Sequence, residues 1–410
     1  MRRMRESGLA FDDVLAELVR RQGSDPDVHG GRLFGLTYPS GRADVEELVV
    51  AVNRRFLFGN ALNPFRFPGL AALETEVVAS VADLLHRPPG ALPAGTMTSG
   101  GTESILLSML VHRERARARG IDRPQIIAAT SAHPAYAKAA HYFDLDLVTV
   151  PLDSQWRCDV AAVRDALSER TAVVVASAFN YPYGVMDPVE ELAALADDAG
   201  VGCHVDACIG GFVLPFLEHL GRDVTPFDFR LAGVTSMSSD IHKYGYVPKG
   251  ASVVLHRDDD WFAHQVFLYD RWGSGIYGSG AIAGARPASP VACSWAVINY
   301  LGVEGYSAIM SGLMDVVATF TAAIGSLDGV EIVGDPIGPV VSLRSDSIDL
   351  HAVGDAMDDR GWHLNRNTEP RGLHLMFSPA HSQVIDALIA DLTSCVREHG
   401  VARGGAVRYS

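Results

Sequence analysis

Through the middle of the chain, short apolar runs rich in β-branched residues alternate with stretches whose apolar positions recur every three to four residues. Residues 126–129, 147–150, 172–176, 202–205, 233–236 and 252–255 read as strands, and residues 159–168 and 189–199 as helices between them. Strand, helix and strand in repeated order predict parallel strands joined by crossover helices. The fold class expected is therefore α/β, with a mostly parallel central sheet flanked by helices over residues 93–301. Residues 1–92 precede it as an N-terminal arm and helices, with irregular stretches around Gly30, Gly31, Gly35 and Gly41 and over residues 60–68. A long helix near 306–324 then leads into short strands and helices ending near Glu398, a small C-terminal α+β unit over 302–410. No repeat or low-complexity linker separates these units, so the boundary between the last two is expected inside a continuous helix.

The composition, 410 residues with 48% hydrophobic and 20% charged, suits one large core and a smaller second one. The net charge of −15 opposes non-specific binding to nucleic acid or an anionic membrane surface. An anionic substrate would need a local positive pocket. The five cysteines, Cys158, Cys203, Cys208, Cys293 and Cys395, show no metal-site spacing, and reduced thiols in the cytoplasm account for them most simply. Near the N-terminus Arg2, Arg3 and Arg5 precede an apolar stretch, residues 8–11, that Asp12 and Asp13 cut too short for a signal peptide. No stretch is expected to approach the roughly 20 apolar residues of a membrane span. Neither a nucleic acid, nor integral membrane association, nor a metal is expected.

Three segments carry chemistry. Ser239, Asp240, Ile241, His242, Lys243, Tyr244 and Gly245 follow an expected strand. A lysine beside a histidine in such a turn suits a Schiff base with a carbonyl cofactor, because burial and nearby positive charge lower its pKa; alone, the same lysine reads equally well as a surface residue. Upstream, Thr98, Ser99, Gly100, Gly101, Thr102, Glu103 and Ser104 pass from a glycine-rich turn into a helix, a cradle for phosphate or an ordinary capped helix start. Between them His204, Val205, Asp206, Ala207 and Cys208 end a strand, where a carboxylate can bond the protonated pyridine nitrogen of pyridoxal phosphate. The ordered set of phosphate turn, strand-end aspartate and lysine is much less expected by chance than any one of them.

With these residues in view, the chain resembles the sphingosine-1-phosphate lyase family, a branch of the pyridoxal-phosphate-dependent decarboxylase group with the aspartate-aminotransferase fold (fold-type I). The likeness runs through residues 95–106 (GTMTSGGTESIL), 204–212 (HVDACIGGF), 233–236 (GVTS), 242–250 (HKYGYVPKG), 275–287 (GIYGSGAIAGARP) and 361–365 (GWHLN). It implies that Lys243 carries the cofactor, that Asp206 faces the pyridinium, and that His133 stacks on the ring. Gly101, Thr102, Asn180 and His242 would complete the cofactor site, with Ser279 reaching across from a second subunit of a homodimer with shared active sites. The substrate implied is a small phosphorylated amine met by Tyr38, Asn63, Tyr183, Lys249 and Arg286, with Tyr183 and Lys243 as candidates for proton transfer.

The pattern is not complete. Asn63 stands where the family has histidine, and cannot titrate near neutrality. Gly280, Ala285 and Ala288 replace the family's proline, serine and glycine. The activity expected is cleavage of the Cα–Cβ bond of a phosphorylated 2-amino-3-hydroxy compound to an aldehyde and phosphoethanolamine. The rival on the same scaffold is an amino-acid decarboxylase, with Arg286 taking the substrate carboxylate, or a specialised biosynthetic aldolase. A catalytically silent binding protein is a more distant alternative.

Overall fold

A computed structural model of the chain describes residues 4–90 and 93–399. Arg2, Arg3 and residues 400–410 of the expected C-terminal unit lie outside the described residues. Three helices open the chain, α1 (Phe11–Gln22), α2 (Ala43–Phe56) and α3 (Pro68–Leu84). The large unit follows as β1 (Gly95–Thr98), α4 (Gly101–Ala118), β2 (Gln125–Ala129), α5 (Ala135–Phe143), β3 (Asp146–Val150), α6 (Val160–Ala166) and β4 (Thr171–Ser177). It continues through α7 (Val189–Asp198), β5 (Gly202–Asp206), α8 (Leu214–His219), β6 (Val234–Ser239), β7 (Ser252–His256), α9 (Asp259–Ala263), β8 (Phe267–Trp272) and β9 (Gly275–Ser279). After α10 (Ala288–Gly325) come β10 (Glu331–Ile332), β11 (Val340–Arg344), α11 (Leu350–Asp359), β12 (Asn365–Thr368), β13 (Arg371–Met376) and α12 (Ile385–His399).

The seven-stranded sheet runs β1-β7-β6-β5-β4-β2-β3, with β7 antiparallel to both neighbours and the other pairings parallel. Every residue of β4 and of β6 is buried, which is why both read as unbroken apolar or small-residue runs rather than alternating ones. Parallel strands send their C-terminal ends to one edge, and in open α/β sheets that edge is where ligands bind. Here it gathers the turns after β1, β2, β4, β5 and β6. The small unit is an antiparallel sheet ordered β10-β11-β13-β12, backed by α11 and α12.

The 38-residue α10 joins the two units, with a break at Gly302 (φ 55°, ψ −175°). It corrects the expectation that no stretch approaches a membrane span, since its length and apolar composition would allow one. Its side chains go into the core instead: Val297, Leu301, Leu313, Phe320 and Ile324 are buried, and the helix packs on α2, α3 and α8. Two apolar surfaces are left open to solvent among the described residues. None of the residues of α1 is buried, and all six of β8 are exposed.

Phe320 is fully buried and sets its ring 5.0 Å from Phe377 at the end of β13, fastening α10 to the small unit. Phe320→Ala is expected to lower the unfolding free energy by about 3–5 kcal/mol, the range for a buried aromatic cut to a methyl. Urea unfolding measures it, and a loss below about 1 kcal/mol would show that the junction repacks freely.

Candidate active site

The lysine turn is built by closing three ties. Tyr244 is fully buried and its hydroxyl donates to the carbonyl of Phe377 at 2.8 Å, while Tyr306 of α10 donates to the carbonyl of Gly245 at 3.1 Å. The His242 amide donates to the carbonyl of Ala251 at 3.0 Å. Lys243 therefore leaves a turn clamped by both units, and its Nζ lies 2.9 Å from Oδ2 of Asp240. Burial alone would push the Lys243 pKa down, but the Asp240 carboxylate raises it above the ordinary lysine value. In His242, burial outweighs Asp240 and brings the pKa down to about 4, so its imidazole is neutral.

Opposite stands the turn into α4. A Cβ on Gly101 would sit 2.7 Å from Sγ of Cys208 and 2.9 Å from both Asp240 carboxylate oxygens, and one on Gly100 would sit 3.2 Å from Cε1 of His242. Glycine at these positions lets the helix start close against the lysine turn, leaving first-turn N–H groups without intrahelical acceptors. Asp206 ends β5 and faces the same space; its Oδ2 accepts from the hydroxyl of Tyr136 at 3.3 Å and its Oδ1 from the Cys208 amide at 3.1 Å. His133 begins the turn before α5 and holds the Ala135 amide on Nδ1 at 3.1 Å, which leaves Nε2 for other partners. Burial lowers its pKa, with Asp206 opposing and Lys243 assisting the shift.

These groups line one cavity of about 390 Å³ together with Tyr38, Thr102, Tyr181 and Lys249. Of the residues expected at the site, the structure thus brings together Lys243, Asp206, His133, Gly101, Thr102, His242, Tyr38 and Lys249. Lys249 donates to the carbonyl of His242 at 3.1 Å and sits 4.3 Å from the centroid of the Tyr38 ring. Its ammonium has no carboxylate within ion-pair distance among the described residues. Burial, then Lys243, lowers its pKa to about 8.

Two expectations are corrected by the turn after β4. Asn180 is a turn former: its Oδ1 accepts from the Tyr183 amide at 3.0 Å and its Nδ2 donates to the Trp156 carbonyl at 3.3 Å. Tyr183 faces a neighbouring cavity, where its hydroxyl donates to the Glu369 carbonyl at 2.5 Å and its ring lies 5.0 Å from Trp156. Gly184 (φ +72°) makes this possible, because a Cβ there would lie 2.1 Å from the carbonyl oxygen of Val340. Of the two phenols in this turn, the one that lines the lysine cavity is Tyr181, stacked on His374 at 4.5 Å. Ser279, Asn63 and Arg286 are also elsewhere, in a third cavity with the 278–281 segment. Arg286 is committed there: its guanidinium meets both Glu74 oxygens at 2.8 and 2.9 Å and the carbonyls of Ala61 and Met97 at 3.0 and 3.2 Å. Asp240 was the partner left without a role in the sequence, although its place three residues before the lysine carried the signal.

The residues fit pyridoxal phosphate. The cradle is one that a Cβ would fill, and Asp240 Oδ1 is buried beside it without a hydrogen-bond partner. Gly101, Thr102 and His242 would hold the phosphate, Asp206 the ring nitrogen, His133 the ring face, and Lys243 the reactive carbon.

The model of the pyridoxal-dependent decarboxylase conserved domain matches residues 26–346. Sphingosine-1-phosphate lyase 1 of Mus musculus is 38% identical over 377 residues, which are 92% of this chain and 66% of the mouse protein. The chain thus spans just under two thirds of that relative's length. Sphingosine-1-phosphate lyase of Oryza sativa subsp. japonica is 39% identical over 373 residues, 89% of this chain and 69% of the rice protein. The structure of Burkholderia pseudomallei sphingosine-1-phosphate lyase superposes with a TM-score of 0.92 at 38% identity, covering 98% of this chain and 93% of that one. The Lactobacillus brevis glutamate decarboxylase, at 23% identity and a TM-score of 0.84, shares the fold.

Gly101→Ala is expected to weaken pyridoxal phosphate binding at least about tenfold, or 1.4 kcal/mol, with the far-ultraviolet dichroism unchanged. Titration of the cofactor's visible absorbance measures it. Unaltered affinity would mean that the cradle is not where the phosphate sits.

Proposed function

The chain belongs to the pyridoxal-dependent decarboxylase family, in its sphingosine-1-phosphate lyase branch, and on that premise we propose that it cleaves the Cα–Cβ bond of a phosphorylated 2-amino-3-hydroxy compound of the sphingosine 1-phosphate type. The products are an aldehyde and phosphoethanolamine. The protein is a pyridoxal-phosphate-dependent enzyme. When bound, the cofactor supplies a ring that accepts the electron pair of the breaking bond.

The observation that carries the lyase reading is Lys249. On a chain of net charge −15, it places an ammonium without a carboxylate partner in the same cavity as Lys243. A dianionic phosphate ester is its natural counter-ion, and the Tyr38 hydroxyl beside it, now donating to the Met376 sulfur at 3.0 Å, is a second donor within the pocket. Asp206 ends the strand where it would meet the ring nitrogen, and His133 lines the same cavity where it would cover the ring face. For the proton of the 3-hydroxyl, Tyr181 and Lys243 are the groups at hand, and Tyr183 is replaced in that role. The decarboxylase alternative asked Arg286 to take a carboxylate, and that guanidinium is already neutralised by Glu74.

We read the active unit as a homodimer, with Ser279 and Asn63 lying outside the chain's own lysine cavity and Ser279 on a segment that is held in place to serve a neighbouring site. The exposed Phe267, Leu268, Trp272 and Ile276 of the β8–β9 hairpin support it. A cytoplasmic location is supported by five cysteines that are all buried and unpaired.

With sphingosine 1-phosphate as substrate, Lys249→Ala is expected to lower kcat/KM about tenfold, or 1.4 kcal/mol, as for removing one charge-assisted hydrogen bond at a solvent-accessible site. An effect below threefold would remove Lys249 from phosphate binding. The pH profile gives a second check. Lys249 is charged below its pKa of about 8 and neutral above it, so kcat/KM, which reports the free enzyme, should fall as pH rises through about 8. Lys249→Arg keeps its charge and should move that alkaline limb upward; a limb that stays in place belongs to another group.

A further inference from the structure

Glu103 is an unexpected neighbour for a phosphate. It stands in the first turn of α4, one residue past Thr102, and is buried. The helix dipole favours a carboxylate there, yet this one takes donors that an anion in the cradle could use. Its Oε2 accepts from the Ser99 amide at 2.8 Å and the Ser99 hydroxyl at 2.6 Å. Its Oε1 turns the other way and accepts from the amide of Ile282 at 2.9 Å. One side chain thereby ties the phosphate turn to the segment that follows β9.

That segment has a second anchor. Gln265, buried, donates to the Gly280 carbonyl at 2.6 Å, and its own oxygen is held by Nε2 of His256 at 2.8 Å. The segment continues directly from the β8–β9 hairpin, whose β8 side chains are all exposed, and it carries Ser279 outside the lysine cavity. We infer that Glu103 is a positioning residue that couples docking of a second copy of this chain on the hairpin to retention of the cofactor phosphate. Docking fixes residues 279–286, and Glu103 passes that constraint to Ser99 and the Gly100–Gly101 turn. The inference rests on the homodimer reading above. A carboxylate that only capped α4 would change stability without linking the two events. The amide of glutamine has one oxygen and can serve Ser99 or Ile282, not both.

Coupling between sites is reciprocal in free energy, so bound cofactor must hold the subunits together more firmly. Subunit exchange reads this even in a tight dimer, because affinity differences lie mostly in dissociation. Two pools of full-length protein carrying donor and acceptor dyes are mixed with and without pyridoxal phosphate, and the rise of energy transfer is timed. In the native chain the cofactor is expected to slow exchange at least about tenfold. In Glu103→Gln, and in Ile282→Pro, which removes the donor at the far end and fixes φ there, the slowing is expected to shrink to within about threefold, while exchange still occurs and the dichroism spectrum is kept. If Glu103→Gln does not fold, Ile282→Pro decides. Full slowing retained in the variants, or no slowing in the native chain, overturns the role of Glu103 and leaves the dimer standing. A monomeric mass in analytical ultracentrifugation overturns the homodimer reading and this inference with it.

Discussion

The ion pair of Lys243 with Asp240 is the constraint around which the pocket is arranged. At 2.9 Å, with Asp240 only 2% exposed, the carboxylate cannot stay charged without its partners. It therefore fixes where the lysine amine rests and draws His242 to within 3.7 Å. The same two oxygens lie where a side chain on Gly101 would go, so the phosphate turn can approach only as glycine. Tyr244 and Tyr306 then hold this turn from the small unit and from α10, which makes the cofactor site a property of the whole fold rather than of one loop.

Charge is divided along the same lines. Arg286 is spent on Glu74 and nearby carbonyls, a structural clamp between α3 and the segment before α10, while Lys249 keeps an ammonium directed at the cavity. Burial and Lys243 lower its pKa to about 8, and no carboxylate lies within ion-pair distance of it among the described residues. The acidic surface and the basic pocket are thus compatible.

How much of this could be read from the chain depended on periodicity. Five of the six strands expected in the large unit lie within one residue of those observed, because buried strands are continuous apolar runs, while β6, rich in serine, runs three residues past its expected end. Gly95–Thr98 is short and half polar and was missed as a strand, and the β8–β9 hairpin has no buried face to give it a pattern. Within the site, Lys243, Asp206 and the glycine turn follow strands and could be placed by order alone. Asn180 and Tyr183 could not: in a tight turn, which of two phenols faces a cavity is decided by Gly184 against Val340, a contact 156 residues away that no local spacing encodes. The same holds for Arg286, whose partner Glu74 lies in α3, 212 residues earlier.

The most direct test of the account is the product balance on sphingosine 1-phosphate. Cofactor-loaded enzyme is incubated with the substrate, and aldehyde, phosphoethanolamine and carbon dioxide are followed together by mass spectrometry against a Lys243→Ala blank. The account predicts aldehyde and phosphoethanolamine in equal amounts, each matching the substrate lost, with no carbon dioxide and no turnover in the blank. Absence of aldehyde from an enzyme that holds its cofactor, with carbon dioxide released from an amino acid instead, would contradict it.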